Sequence, residues 1–178
     1  MSSRIDSMLK DSESTTYLLH NIGNLKNANY NTREEVLKAE GLLTFDGVYK
    51  NVWENRDVLE GKDVILFVMG DYVGKDNSFD TKMPLEELCD WNQIMDLVIN
   101  YGCHLGWHTW SHRDITKLSY DEIRNEVTPP FPMDYFSFPY GKFNQSVYAA
   151  TANAGFEYAF GAGKWGDGSR YQLKRKYL

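Results

Sequence analysis

Short apolar runs alternate along this chain with longer amphipathic stretches, and that order constrains the fold more than any other feature. Extended runs are expected at 16–19, 42–45, 64–69, 104–107, 135–138 and 158–161, with a last one at 171–177. Helical patterns fall between them at 32–39, 48–59, 85–99, 119–127 and 146–154, the first opened by an Asn/Thr cap and an acidic first turn. A strand–helix–strand order implies a mainly parallel α/β sheet, because parallel neighbours need a crossover, and leaves an open doubly wound sheet or a closed barrel. Six or seven strands fit a small, incomplete barrel. Residues 70–84, rich in Gly, Asp, Asn and Ser and without periodicity, read as a long loop after the third strand. Residues 1–14 read as an N-terminal tail and 15–178 as one domain, since 178 residues suit a single core.

Composition narrows the function classes. With 42% apolar and 25% charged residues the chain is expected to be globular rather than disordered. Its net charge of −6 argues against nucleic acid as a partner, because phosphates are repelled. No apolar run reaches the ~18 residues of a membrane-spanning helix, and the Ser/Asp-rich start has no signal-peptide core. A cytoplasmic protein is the expectation. The two cysteines, Cys89 and Cys103, match neither a metal knuckle nor a disulfide scaffold and read as buried thiols in a reducing compartment. Aromatic residues make up 15% of the chain, a supply that also suits stacking on sugar faces.

Parallel β/α folds place their chemistry at the carboxyl ends of strands, so the polar residues just past each apolar run are informative. The sequence puts His20 after the first, Asp46 after the second, Asp71 after the third, and His108 with His112 after the fourth. Tyr140 comes after the fifth, and Lys164, Trp165 and Asp167 come after the sixth. Buried without partners, such groups cost several kcal/mol each, so they are expected to be paired, metal-bound or open to a cleft. In Gly106-Trp107-His108-Thr109-Trp110-Ser111-His112 two imidazoles stand four apart, a spacing that can place two neutral nitrogens on one zinc, iron, cobalt or nickel ion. The same spacing also suits a hydrogen-bonded pair in an aromatic loop. Asp46-Gly47 reads equally as a turn-capping aspartate, and Pro139-Tyr140-Gly141 as a turn whose backbone N–H groups can face an oxyanion.

Taken in order, these segments resemble the polysaccharide deacetylase family, the NodB-homology domain of family 4 carbohydrate esterases. Tyr17-Leu18-Leu19-His20 is similar to its first strand, Thr44-Phe45-Asp46 to its first motif, and His108 to His112 to its second. Ile115 to Ser119 continues as the family does, Phe138-Pro139-Tyr140-Gly141 resembles the third motif, and Phe156 to Gly161 the strand after it. The resemblance implies a distorted, incomplete (β/α)7 TIM-like barrel that removes acetyl groups from amino sugars. It also implies a divalent metal, zinc foremost with cobalt or nickel suited, held by one Asp and two His. By position, His108 and His112 would be metal ligands and Asp46 the catalytic base, with Tyr140, Pro139, Trp110 and Trp165 as candidates for binding the sugar.

The sequence also departs from the pattern. The family motif reads Thr-Phe-Asp-Asp-Gly with its second Asp on the metal, and here Gly47 and Val48 stand there. Asp46 itself or Asp71 is then the candidate third ligand. Ser137 takes the place where many members carry an Arg that orients the base, and no late apolar-His motif supplies a general acid, which makes His20 the candidate replacement. The passage from Val127 to Tyr135 through Pro129 and Pro130 skips a helix of larger members. Lys174 to Lys176, with Lys164, read as a solvated basic face. Two other readings stay open: a degenerate barrel that binds a glycan or partner without turnover, and a hydrolase of a small amide or sugar nucleotide.

Overall fold

The computed structural model describes residues 4–27, 29–162 and 169–178. Its centre is a seven-stranded parallel sheet built from β1 (Thr16–Leu19), β4 (Leu42–Asp46), β5 (Asp63–Val68), β6 (His104–Trp107), β7 (Tyr135–Ser137), β8 (Tyr158–Phe160) and β9 (Lys176–Tyr177). Two short strands, β2 (Asn21–Ile22) and β3 (Tyr30–Asn31), pair separately. The order across the large sheet is β8-β7-β6-β5-β4-β1-β9. Leu173 also bridges Phe160 of β8 while β9 pairs with β1, so the C-terminal segment joins both edges of a curled sheet. This is the distorted, incomplete barrel that the alternation and the resemblance imply.

Helices α2 (Arg33–Lys38), α3 (Lys50–Glu54), α4 (Trp91–Tyr101), α5 (Tyr120–Val127) and α6 (Gln145–Asn153) lie between strands as crossovers. Local chemistry sets their starts. Thr32, Asp90 and Ser119 each accept a backbone N–H from the third helical residue, and Glu35, Gln93 and Glu122 close the reciprocal bond. The expected helix at 85–99 begins only at Trp91. Asp90 caps it there, and Glu87 and Leu88 instead bridge Asp76 and Tyr49 in extended backbone. The expected helix at 48–59 is split into α3 and a 3-10 turn at Arg56–Leu59. Of the expected strand at 171–177, the last residues alone pair as β9.

Alternation within the strands separates two surfaces, since neighbouring side chains point to opposite faces. On one face Leu43, Phe45, Val64, Leu66, Val68, Trp107 and Phe136 bury against the crossover helices. On the other Leu42, Ile65, Phe67, Tyr135, Tyr158 and Phe160 fill the barrel interior. Gly106 is required where β6 crosses this interior, because a Cβ there would lie 2.5 Å from Cε1 of Phe67. The stretch 1–14 contains a helix, α1 (Arg4–Lys10), whose Ile5 is buried in the interior cluster with Met8 and Leu9 beside it. Arg4 pairs with Asp63 at the start of β5, and the Tyr158 hydroxyl donates to Asp6, so α1 covers the N-terminal end of the barrel. The interior is therefore apolar at that end. Its polar positions gather at the strands' carboxyl ends.

Candidate active site

Continuing the interior face toward the carboxyl ends gives Thr44 and Asp46 on β4, Ser137 on β7, His108 just past β6 and His20 just past β1. A cavity of about 480 Å³ opens there, and His20, Asp46, Asp80, His108, His112 and Tyr140 are among its walls. Asp46 and the two histidines of the H-x3-H segment thus meet in one space. Tyr177 and Asn29 add polar edges to the same wall.

Asp46 is buried and held by an unexpected partner. Arg175, fully buried, donates from Nη1 to Oδ1 at 2.7 Å and from Nη2 to Oδ2 at 2.9 Å. The same guanidinium donates to the carbonyl of Gly161, to Oγ1 of Thr44 and to Oγ of Ser137. Ser137 in turn donates its hydroxyl to Oδ1 of Asp46 at 3.0 Å. Burial alone would raise the carboxyl pKa, but the Arg175 charge and its hydrogen bonds hold it well below the usual carboxylate range. Arg175 therefore supplies the guanidinium that position 137 lacks. In the sequence it sits between two exposed lysines and looks solvated. The available signal was period two, which puts Leu173, Arg175 and Tyr177 on one face.

The loop carrying the two imidazoles is fixed from behind by Glu126 of α5. This buried carboxylate accepts the backbone N–H groups of Trp110 and Ser111, the Ser111 hydroxyl and a guanidinium N–H of Arg113. Thr109 and His112 take positive φ angles of 68° and 56°, an uncommon backbone for residues with a Cβ, and the N–H of His112 donates to Oγ1 of Thr109. His108 Nδ1 lies 2.8 Å from the Ser137 carbonyl. A carbonyl only accepts, so Nδ1 carries the proton and Nε2 presents its lone pair, 4.0 Å from Oδ2 of Asp46. The ring of His112 is surrounded by those of His108, Tyr140 and Phe79 at centroid distances of 4.8 to 4.9 Å. Burial lowers the pKa of all three cavity histidines, His20 to about 4 and His112 to about 3. They stand as neutral imidazoles at neutral pH.

A metal at this place has two of the three donors that the family motif implies. His108 offers Nε2, and Nδ1 of His112 and Nδ1 of His20 are buried without a hydrogen-bond partner among the described residues. Two neutral imidazoles with free lone pairs fit a divalent cation. The carboxylate is missing from position 47, where Gly47 has φ +78°. Among the described residues no three His, Cys, Asp or Glu side chains are grouped to enclose an ion.

The remaining sequence candidates separate. Tyr140 projects at the cavity mouth, 55% exposed and with φ 60°, on the turn begun by buried Pro139. Trp110 packs on Trp107 and donates Nε1 to the Thr128 carbonyl, outside the cavity wall. Asp71 is exposed on the turn after β5, bonded by its backbone to Trp110, and it too lies outside that wall. Lys164, Trp165 and Asp167 fall outside the described residues. Asp80, which the aperiodic loop concealed, is on the wall.

Residues 33–159 match the sequence profile of the polysaccharide deacetylase family, well over half of the chain. The chain belongs to the polysaccharide deacetylase family. Its curved sheet superimposes on the Streptococcus pyogenes deacetylase PplD, solved in complex with acetate, with a TM-score of 0.74 at 13% identity, covering 93% of this chain and 92% of that one. IcaB from Ammonifex degensii gives 0.70 at 17% identity, covering 93% and 92%. These likenesses show the polysaccharide deacetylase fold. In sequence the chain is 27% identical over 140 residues to a bifunctional xylanase/deacetylase of Pseudobutyrivibrio xylanivorans, a match covering 72% of this chain and 20% of that much longer protein. The chain thus spans about a fifth of that curated relative. No helix among the described residues is long and apolar enough to cross a membrane.

Proposed function

We propose that this chain is a metal-dependent hydrolase that removes N-acetyl, or O-acetyl, groups from an amino sugar or polysaccharide precursor. The observation that carries the reading is the meeting of Asp46, His108 and His112 in one open cavity at the carboxyl ends of the strands. Family membership and the deacetylase names of the relatives support it.

His108 and His112 would hold the divalent ion, zinc by preference. When bound, such an ion lowers the pKa of water toward ~7 and polarises an acetyl carbonyl. The rest falls to the protein's own groups. Asp46 accepts the proton of the attacking water, a general-base contribution of about 10²- to 10⁴-fold. Arg175 and Ser137 keep its carboxylate ionised and aimed, at some cost in basicity. The Tyr140 backbone N–H faces the developing oxyanion, and its exposed ring offers a sugar platform. His20 is the candidate acid for the departing amine. Burial keeps it neutral at rest; the Asp46 charge favours its protonated form and the Arg175 charge opposes it.

Gly47 favours one rival, a barrel that binds a glycan without turnover. Acetate release decides between them, measured on N-acetylated and O-acetylated oligosaccharides with zinc, cobalt or nickel supplied. The hydrolase reading expects acetate from wild type and none above background from His108→Ala or Asp46→Asn. Binding of the sugars without acetate under any metal supports the rival.

A further inference from the structure

The cavity does not end at its rim. Gly141, on its wall, also borders a second groove, whose other walls are Thr116, Lys142, Phe143 and Asn144. The two hollows are of similar size, about 480 and 520 Å³, and they meet at the turn Pro139–Gly141. Gly141 has φ +66°, and a Cβ there would lie 2.9 Å from Cβ of Ala162, which is itself on the wall of the first cavity. Tyr140 stands exposed on one side of the turn, and Lys142 on the other brings its Nζ to 5.8 Å from that ring's centroid.

Hydrogen bonds hold the second groove in shape. Asn144 caps α6 by accepting the N–H of Val147, and its amide donates to the carbonyl of Thr116. The Thr116 hydroxyl donates to Asp114, and Lys142 donates to the same carboxylate at 3.1 Å. These bonds do not exhaust the groups that make them. One N–H of the Asn144 amide, two of the Lys142 ammonium and the lone pairs of the Thr116 hydroxyl have no partner among the described residues. Donors and an acceptor side by side match sugar hydroxyls, which both accept and donate. Asp114 balances the Lys142 charge, so the groove favours a neutral saccharide over an anion. Half-buried Phe143 adds apolar surface for the C–H face of a ring.

We infer that this second groove holds the sugar adjoining the one that carries the acetyl group, so that the substrate is a neutral oligosaccharide rather than a single sugar. The inference rests on the proposed reading of the first cavity as the seat of an acetylated sugar. It adds Lys142 and Asn144 as the residues that recognise the neighbour.

Binding to the metal-free protein tests it without reference to turnover. N-acetylglucosamine and its β-1,4- and β-1,6-linked disaccharides are titrated into wild type, Lys142→Met and Asn144→Ser, with backbone amides followed by NMR. Serine keeps the cap of α6. One disaccharide is expected to bind wild type about tenfold more tightly than the monosaccharide, the worth of one or two ordinary hydrogen bonds. It should also move the amide signals of residues 116 and 142–144, which the monosaccharide leaves in place. In each folded variant the advantage should shrink by about threefold, for the loss of one such bond. Disaccharides that bind no more tightly than the monosaccharide, or an advantage left intact in both variants, overturn the second subsite while the hydrolase reading stands on acetate release from a single sugar. A disaccharide advantage in a protein that releases no acetate supports the subsite and counts against the hydrolase reading instead. Failure of all three sugars to bind removes the sugar-binding cavity and this inference together.

Discussion

Replacing Asp46 by Asn removes the negative half of a buried ion pair while keeping its shape. Arg175 is fully buried and donates to both carboxylate oxygens at 2.7 and 2.9 Å. In Asp46→Asn an NH2 group replaces one oxygen and sets donor against donor. The guanidinium keeps only neutral acceptors, namely the remaining amide oxygen, the Gly161 carbonyl and the Thr44 and Ser137 hydroxyls. Breaking one partner of such a pair costs about 3–5 kcal/mol. For a chain of this size that lowers Tm by roughly 6–20 °C. Arg175→Met leaves the carboxylate buried instead and is expected to cost a similar amount. The double variant Asp46→Asn/Arg175→Met strands no charge, so its loss should fall short of the two single losses combined by about 2 kcal/mol or more. Urea unfolding of the metal-free proteins at neutral pH, monitored by tryptophan fluorescence and circular dichroism, gives the cycle. Single losses below about 1 kcal/mol, or strict additivity, would refute the buried pair as the element that fixes Asp46.

Gly47→Asp is expected to tighten zinc binding, read by calorimetry, because it restores a carboxylate beside the two imidazoles. Asp tolerates the positive φ better than most residues, and its Cβ would meet the flexible end of Met69 at 2.9 Å and the ring edge of Tyr49 at 3.2 Å, which must give slightly, so the variant should fold at a cost of about 1–2 kcal/mol from the backbone alone. Unchanged zinc affinity in the folded variant would count against a metal between His108 and His112. Stability of the metal-free protein is expected to fall as pH drops from about 6.5 toward 4. The unfolded chain takes up protons at His20, His108 and His112 in that window while the folded chain resists them, a slope of about 1.4 kcal/mol per pH unit for each imidazole that stays neutral. Denaturant midpoints that are flat across this range would contradict the burial of the three rings as neutral groups.

Much of the fold was legible because the strands carry their own punctuation. The run Leu42 to Phe45 is buried on both faces and ends on Asp46, and Ser119 with Glu122 spells a capping box before α5. Those signals are local. What escaped depends on partners far along the chain. Arg175 lies among lysines, and only the curl of the sheet carries it to Asp46, 129 positions away. Asp80 sits in a stretch without periodicity, where burial comes from the hydrogen bonds of Asn77 rather than from any repeating pattern. The helix in the N-terminal stretch is short, and its Ile5 acquires meaning only against the barrel interior. Position 47 was legible as a departure, since a glycine stands where the family motif places a metal-binding carboxylate.

On the proposed reading, turnover requires an ion and a scissile acetyl group to meet beside Asp46. Anomalous diffraction from a crystal soaked with zinc tests this most directly. The expected result is one strong peak bridging the imidazoles of His108 and His112 within the cavity that Asp46 and Asp80 line. A zinc-soaked crystal of active protein with no peak at those two rings would contradict it.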